Sequence, residues 1–157
     1  MIMDEDYYSG IAPGYNELYG EEQRRKFSVI KEHVKLRPLA LDIGCGTGVV
    51  DLGVKAVGID PSFGLLERHR GLKVCACAEA LPFRSHVFSS VVSLTALHHA
   101  DIDKAIAEIR RVSRKDAVYA FTVLKKAKNV KSIVSKLISS FGLLEIDEEK
   151  DIILVRH

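Results

Sequence analysis

Three glycines and two aspartates lie close together in the first half of the chain. Gly44, Gly46 and Gly48 directly follow a short apolar run, and Asp42 and Asp60 flank them. Glycine lets the backbone turn sharply and lets a ligand approach without a Cβ in the way. A carboxylate at Asp60 can accept hydrogen bonds from both hydroxyl groups of a ribose. The pattern therefore predicts a binding site for a ligand that contains a ribose.

The glycine spacing separates two classes of ligand. A dinucleotide site uses GxGxxG, whose third glycine packs a helix that faces a pyrophosphate. Val49 occupies that third position here, so the pattern fails by one residue. Asp42 would repel a phosphate but would attract an ammonium or sulfonium group. A cationic amino-acid cofactor is therefore favoured, and a nucleotide-dependent oxidoreductase is a disfavoured alternative. A turn without a ligand would need only one or two glycines.

Several segments carry a resemblance to a known family. Residues 41–48, Leu-Asp-Ile-Gly-Cys-Gly-Thr-Gly, resemble motif I of class I S-adenosylmethionine-dependent methyltransferases. Residues 57–62, Val-Gly-Ile-Asp-Pro-Ser, resemble the acidic motif of their second strand. Residues 78–83, Ala-Glu-Ala-Leu-Pro-Phe, are similar to a segment of the ubiquinone/menaquinone-biosynthesis methylase subgroup, and residues 108–112 resemble the helix after the fourth strand. The resemblance runs from about Tyr8 to Val123.

The resemblance implies S-adenosyl-L-methionine as cofactor and a set of residues that bind it: Tyr15, Asp42, Gly44, Cys45, Gly46, Gly48, Asp60, Pro61, Ala78, Glu79 and Leu94. Two departures from the family pattern stand out. Cys77 replaces an aspartate that accepts the adenine amine, so the Ala78 amide and packing from Pro61 and Phe63 are expected to hold the adenine. Residues 113–116, Ser-Arg-Lys-Asp, replace the usual Lys-Pro-Gly-Gly turn.

His98 and His99 follow the predicted fourth strand on the cofactor side of the sheet. One of them is a candidate general base, because the pKa of an unperturbed histidine is close to working pH. In the alternative interpretation, His98 packs against the cofactor or its loop and His99 is solvated. Adjacent histidines are expected to point apart. No Cys, Asp or Glu stands at ligand spacing from them, so we predict no metal site.

Strand-like and helix-like segments alternate along the chain. The expected fold is α/β: a Rossmann-like, doubly wound sheet of about seven strands, mostly parallel with an antiparallel C-terminal hairpin, and helices on both faces. The predicted strands cover residues 39–43, 55–59, 73–76, 88–94, 117–124, 143–146 and 151–155. The predicted helices cover residues 15–35, 47–52, about 62–71, 101–112 and 129–141.

The length of 157 residues suits one methyltransferase domain, residues 1–157. Residues 1–37 are predicted to form a lid segment and a helix, and residues 38–157 the sheet core. The acidic N-terminus lacks the basic and apolar features of a secretory signal, and the three cysteines form no CxxC pair, so we expect a soluble protein of the reducing cytoplasm.

Tyr7–Tyr19, with Gly10 and Gly14 as hinges, is expected to fold over the bound cofactor.

Residues 104–136 hold ten lysines and arginines but only two acidic residues. This basic region can attract the phosphates of RNA, although much of it would be solvated in any case. The predicted function is methyl transfer to an unidentified acceptor, with a small molecule favoured. RNA or protein methylation is an alternative, as is a non-catalytic cofactor-binding protein. A homodimer or an activating partner chain is a further expectation, because the chain has little length left to cover its site.

Overall fold

A computed structural model of the protein describes residues 20–157, in which strands and helices alternate. The strands are β1 (Ala40–Ile43), β2 (Ala56–Asp60), β3 (Leu72–Cys75), β4 (Phe88–Leu94), β5 (Ser113–Leu124), β6 (Leu144–Asp147) and β7 (Asp151–Arg156). The helices are α1 (residues 20–33 of the described chain), α2 (Phe63–Leu66), α3 (Ile102–Val112) and α4 (Val130–Phe141), and a single 3-10 turn, η1, covers Leu97–His99.

The strands of the described chain form one sheet in the order β3-β2-β1-β4-β5-β7-β6. The first five are parallel, and β7 pairs antiparallel with both β5 and β6. The winding reverses between β1 and β4, and the carboxyl ends of these two strands therefore border the crevice where ligands bind in such sheets. The predicted fold class is confirmed.

Apolar side chains cover both faces of the sheet. All seven residues of β4, including its three serines, are buried, because this central strand is covered on both faces. One face packs α3 and α4 through Ile109, Leu137 and other aliphatic residues. The opposite face packs α1 through Phe27, Ile30 and Val34, which is the stripe predicted for this helix.

Capping residues set the ends of the longer helices where the sequence predicts them. The Asp101 side chain accepts a hydrogen bond from the Lys104 amide at the start of α3. Gly142 adopts φ 64° at the end of α4, a left-handed conformation that favours glycine. Among residues 20–157, no helix is both long and apolar enough to cross a bilayer.

One predicted helix is absent, and a second begins at the predicted cap, Ser62, but is shorter than predicted. Residues 44–55, all of which are described, contain no helix, so the expected turns over Thr47–Leu52 are absent. Gly48 and Gly53 have φ of 71° and 73°, which breaks a helix at both positions, and the Asp51 carboxylate accepts the Gly53 amide in a tight turn. Helix α2 ends at Leu66 and does not reach Gly71, because the next residues turn through short-range backbone bonds.

The predicted turn at residues 113–116 is also wrong. Strand β5 begins at Ser113, directly after α3, and is four residues longer than predicted. The Ser113 hydroxyl donates to the Ile109 carbonyl and closes the helix, while Phe88 of β4 pairs with Ser113. The segment contains neither glycine nor proline, so nothing forces a reversal there.

Candidate cofactor-binding site

The glycine loop lies at the carboxyl end of β1 and bends toward β2. The amides of Gly44 and Cys45 both donate to the Ile59 carbonyl, at 2.8 and 3.0 Å. Gly44, Gly46 and Gly48 have φ of 75°, 54° and 71°, so each needs the conformational freedom of glycine. A Cβ at Gly44 would collide with the Ala96 side chain. The loop therefore requires glycine for its own shape.

His69 fills the space beside the third glycine. A Cβ at Gly48 would lie 2.8 Å from the His69 Cδ2 atom. Burial lowers the pKa of His69 from its ordinary value. Gly48, predicted from the sequence to bind the cofactor, thus has a packing role that the sequence did not indicate.

Asp60, at the end of β2, links the glycine loop to the segment that follows β2. One carboxylate oxygen accepts the Gly46 amide at 3.0 Å, and the other accepts the Ser62 amide at 2.8 Å. A carboxylate has about four lone-pair sites, and these two amides use two of them. The residue is 7% exposed. Asp60 therefore shapes the loop in addition to its predicted role.

Asp42 is the carboxylate without a partner at this site. It makes no hydrogen bond or ion pair within the described part of the chain, and it borders a small cavity beside the glycine loop. Burial, together with the negative charge of Asp60, raises the pKa of Asp42 to about 7. A carboxylate whose pKa is raised in this way is stabilised in its charged form by a cation placed beside it.

The cavity beside Asp42 leaves about 20 Å³ for a ligand group, close to the size of one water molecule. Gln23 of α1, the loop residues Gly44 and Cys45, and Leu94 at the end of β4 line it together with two valines, Val49 and Val50. The Cys45 side chain is buried, and burial raises the pKa of its thiol, which stays protonated. The Gln23 Oε1 atom is buried and lacks a hydrogen-bond partner in the described structure.

The second wall of the crevice follows β2 and β3. Pro61 is exposed, Ala78 is buried and Glu79 is half-buried. Cys77, which replaces the expected aspartate, is exposed. The segment is held by α3: the Leu81 amide donates to Glu108, and Arg111 donates to the carbonyls of Leu81 and Phe83.

Glu108 and Arg111 thus fix the segment where the adenine is expected, and they also bond to each other at 2.8 Å. The Arg111 guanidinium beside Glu108 lowers the pKa of that carboxyl below its usual range. The sequence offered a signal for this pair, because oppositely charged residues three apart on a helix face each other.

His98 and His99 lie in η1, immediately after β4. Their ring centroids are 4.0 Å apart, so the expectation that the rings point apart is wrong. Burial, followed by the neighbouring His99, lowers the pKa of His98 to about 4, and burial lowers the pKa of His99. His98 is therefore neutral near pH 7, and its buried Nδ1 has no hydrogen-bond partner among the described residues.

A buried polar network lies at the same end of the sheet. Lys26 of α1 pairs with Asp151 of β7 at 2.9 Å, and both side chains are 0% exposed. Lys26 also donates to the Thr95 hydroxyl, which in turn donates to Asp151. Thr95 follows β4 with φ 54°, a strained conformation for a β-branched residue, and its amide donates to the Thr122 hydroxyl.

Sequence reasoning missed Gln23, Lys26, Thr95 and Asp151. A signal was present for the first two, since Gln23 and Lys26 fall on the helical stripe that Phe27, Ile30 and Val34 define. Polar residues on a buried stripe indicate buried polar contacts rather than solvent. Tyr15, the remaining predicted cofactor residue, lies outside the described residues.

Comparison with known protein families identifies the family of this chain. The family model described as a methyltransferase domain matches residues 41–121, which is just over half of the chain. The chain belongs to this methyltransferase domain family. The predicted methyltransferase class is confirmed for this domain.

Sequence relatives are longer than this chain. An uncharacterised protein of Methanocaldococcus jannaschii is 34% identical over 126 residues, which cover 75% of this chain and 50% of that protein. The bovine protein named probable tRNA methyltransferase 9B is 34% identical over 117 residues, covering 68% of this chain and 26% of its own length. The chain thus spans half or less of these two relatives.

Solved structures share the fold at low identity. Magnesium protoporphyrin IX methyltransferase of Synechocystis, solved with S-adenosylmethionine bound, has a TM-score of 0.69 at 17% identity and covers 99% of this chain and 98% of its own. A complex that contains the Haloferax volcanii Trm112 methyltransferase activator gives a TM-score of 0.73 at 16% identity, covering 95% of this chain and 80% of the other.

Proposed function

We propose that this chain holds S-adenosylmethionine over the carboxyl ends of β1 and β2 and delivers its methyl group to an acceptor that enters beside η1. The observation that carries the proposal is Asp42, a half-buried carboxylate that lines the small cavity beside the glycine loop and whose pKa is raised. A cationic cofactor supplies the charge that this carboxylate lacks.

The residues of the crevice fit the parts of that cofactor. The loop presents its backbone at Gly46, whose amide donates to Asp60, and the Asp60 carboxylate is the acceptor proposed for the ribose hydroxyls. Ala78 and the exposed rings of Pro61 and Phe63 offer an apolar surface for the adenine. The small cavity beside Asp42 suits the ammonium end.

The bound cofactor would supply an activated methyl group for direct displacement at its methyl carbon. The chain's own contribution is to hold that group in line with the acceptor and to exclude water. Leu94 and η1 border the entrance from the β4 side. His98, neutral near pH 7, can accept a hydrogen bond from an acceptor hydroxyl or amine and so orient it.

Two acceptor classes follow from different observations. The resemblance of residues 78–83 to the ubiquinone/menaquinone-biosynthesis methylases supports a small molecule. RNA is supported by Lys126, Lys128 and Lys131, which are exposed beyond β5 and form no described ion pair, and by the name of the bovine relative. Other basic side chains, such as Lys125 and Lys136, are already paired with Asp147 and Asp103.

The exposed edge at β3 offers a surface on which a partner chain could bind. This strand forms one edge of the sheet in the described structure, and Phe63, Leu72 and Val74 expose 63, 57 and 37% of their surfaces near it. An exposed apolar edge strand readily pairs with another chain. The structural neighbour that is bound to an activator protein supports this interpretation. Light scattering of the purified chain and of Leu72→Lys would detect self-association through this edge.

Calorimetry with S-adenosylmethionine tests the cofactor, and transfer of a radiolabelled methyl group to separate small-molecule, RNA and protein fractions tests the acceptor. We expect binding to the wild type and none to Gly46→Val, whose branched side chain would occupy cofactor space. Label in one fraction identifies the acceptor class. Binding without transfer to any fraction would support a non-catalytic role, and the absence of binding would overturn the proposal.

A further inference from the structure

Gln23 and Asp42 both line the same water-sized cavity. Asp42 extends from β1, and Gln23 extends from α1 across the sheet face. Gln23 is 8% exposed, and its Oε1 has no hydrogen-bond partner in the described structure. A buried acceptor without a donor is costly, so such an atom needs an explanation.

The lining of the cavity defines the group that fits. A carboxylate and an amide oxygen, both acceptors, line this cavity, and the buried amide oxygen of Gln23 has no hydrogen-bond partner in the described structure. About 20 Å³ admits one small group with several donors. A primary ammonium has this size, three N–H donors and a positive charge. A phosphate or a carboxylate would be too large and would be repelled by Asp42.

We infer that Gln23 is a ligand of the amino-acid ammonium of the cofactor, paired across this cavity with Asp42. The inference rests on the proposed function and adds a binding residue on α1 that the glycine motifs do not include. It makes α1 part of the binding site itself.

The buried ion pair one turn along the helix fixes Gln23 in place. Lys26, three residues after Gln23, is held by Asp151 at 2.9 Å and by Thr95 at 3.1 Å. Residues three apart on a helix project from the same side. The contacts of Lys26 therefore fix the rotation of α1 about its axis and its distance from the sheet, and so the position of Gln23 at the cavity. Lys26 is thus a positioning residue.

Three ligands measured by calorimetry separate the parts of this inference: S-adenosylhomocysteine, its deaminated analogue, and 5′-methylthioadenosine, which lacks the amino-acid part. We expect Gln23→Leu to weaken S-adenosylhomocysteine binding by about tenfold or more, as for a hydrogen bond to a charged group. Its affinity for the other two ligands should stay within about twofold of wild type. Gln23→Glu, which keeps an acceptor oxygen, should retain the preference for the aminated ligand.

Glu21→Leu, an exposed position on the same helix, is the matched control and should bind all three ligands as the wild type does. Equal weakening of all three ligands by Gln23→Leu would mean that Gln23 only supports the fold. Weakening that persists with the deaminated analogue would mean that Gln23 binds the carboxylate, and it would overturn the ammonium assignment. Failure of the wild type to bind any of these ligands would instead overturn the proposed function. Urea unfolding of each variant confirms that it is folded.

Discussion

At the scale of single residues, the crevice places a carboxylate where the folded protein gains little from it. Asp42 has a pKa raised to about 7 by burial and by Asp60, against an ordinary value of 3.8. Between these pH values the folded state binds a proton that the unfolded state releases. The free energy of unfolding therefore falls as the pH rises from about 4 to 7. The charged form of Asp42 thus lowers the free energy of unfolding, and the same charge can pair with a cationic ligand.

Asp42→Asn removes this penalty, because asparagine stays neutral. We expect the free protein to gain about 1 kcal/mol or more in unfolding free energy at pH 8, since one pKa unit corresponds to about 1.4 kcal/mol. The gain should shrink toward pH 5, and S-adenosylmethionine affinity should fall at least about tenfold. Urea unfolding at both pH values and calorimetry measure these effects. Exposed Glu67→Gln is the control, and a variant less stable than wild type at pH 8 would contradict the assignment.

The pKa of His98 moves in the opposite direction from that of Asp42, because burial disfavours the charged form of both groups and the charged form of a histidine is the protonated one. With a pKa of about 4, it stays neutral between pH 8 and 5.5, and its ring signals in an NMR titration should not move over that range. His98→Ala assigns the signals, and exposed His157 serves as an internal comparison. A midpoint near 6.5 for His98 would restore it as a candidate general base.

At the scale of elements, the connection between α1 and the C-terminal hairpin organises the site. Beyond the Lys26–Asp151 pair, Glu22 bonds to Lys150 at 3.1 Å, and Arg25 bonds to Glu148 at 3.2 Å. These contacts hold α1 across the carboxyl ends of β4 and β5, beside the crevice. The surface pairs contribute little to stability by themselves. The buried pair determines where the helix lies.

Breaking the buried pair should be strongly destabilising, because a fully buried charge would lose its fully buried counter-ion and Lys26 would keep, among residues 20–157, only the partly exposed Glu22 of its own helix. We expect Lys26→Met or Asp151→Asn to lower the free energy of unfolding by about 3–5 kcal/mol. The double variant Lys26→Met/Asp151→Leu should lose less than the sum of the two single changes. Lys136→Met, which breaks the exposed pair with Asp103, should change stability by less than about 1 kcal/mol. If urea unfolding showed equally small losses for the buried pair and for the exposed pair, the buried pair would not be a main source of stability.

At the scale of the whole molecule, the cover of the crevice is still a prediction. Methyl transfer requires that water be displaced from the acceptor. Tyr7–Tyr19, outside the described residues, carries tyrosines that can pack on a ligand and glycines that allow hinging. Hydrogen exchange with and without S-adenosylhomocysteine should show new protection over this segment. Identical exchange in both states, with a monomeric chain, would favour a partner chain as the cover.

Much of this molecule could be predicted from its sequence. Alternating apolar runs located every strand, and the 3.6-residue period located α1, α3 and α4. The connection between β1 and β2 was predicted wrongly, because a parallel crossover usually contains a helix and this one is too short and too rich in glycine. Gln23, Lys26 and Asp151 were missed because their partners lie far along the chain. Periodicity finds the residues that face the core but not the pairs they form.

The Lys26–Asp151 contact also has a consequence for the order in which the protein is made. Lys26 leaves the ribosome early, and its counter-ion is synthesised 125 residues later. At about 5–20 residues per second, that interval is roughly 6–25 s. Until then Lys26 has, among the described residues, only Glu22 of its own helix as an ion-pair partner, at 2.9 Å, and the ion pair that joins α1 to the sheet is missing. The nascent chain therefore cannot complete its cofactor crevice until the last strand of the sheet has emerged, and an interrupted translation product would have the glycine loop but no closed binding site.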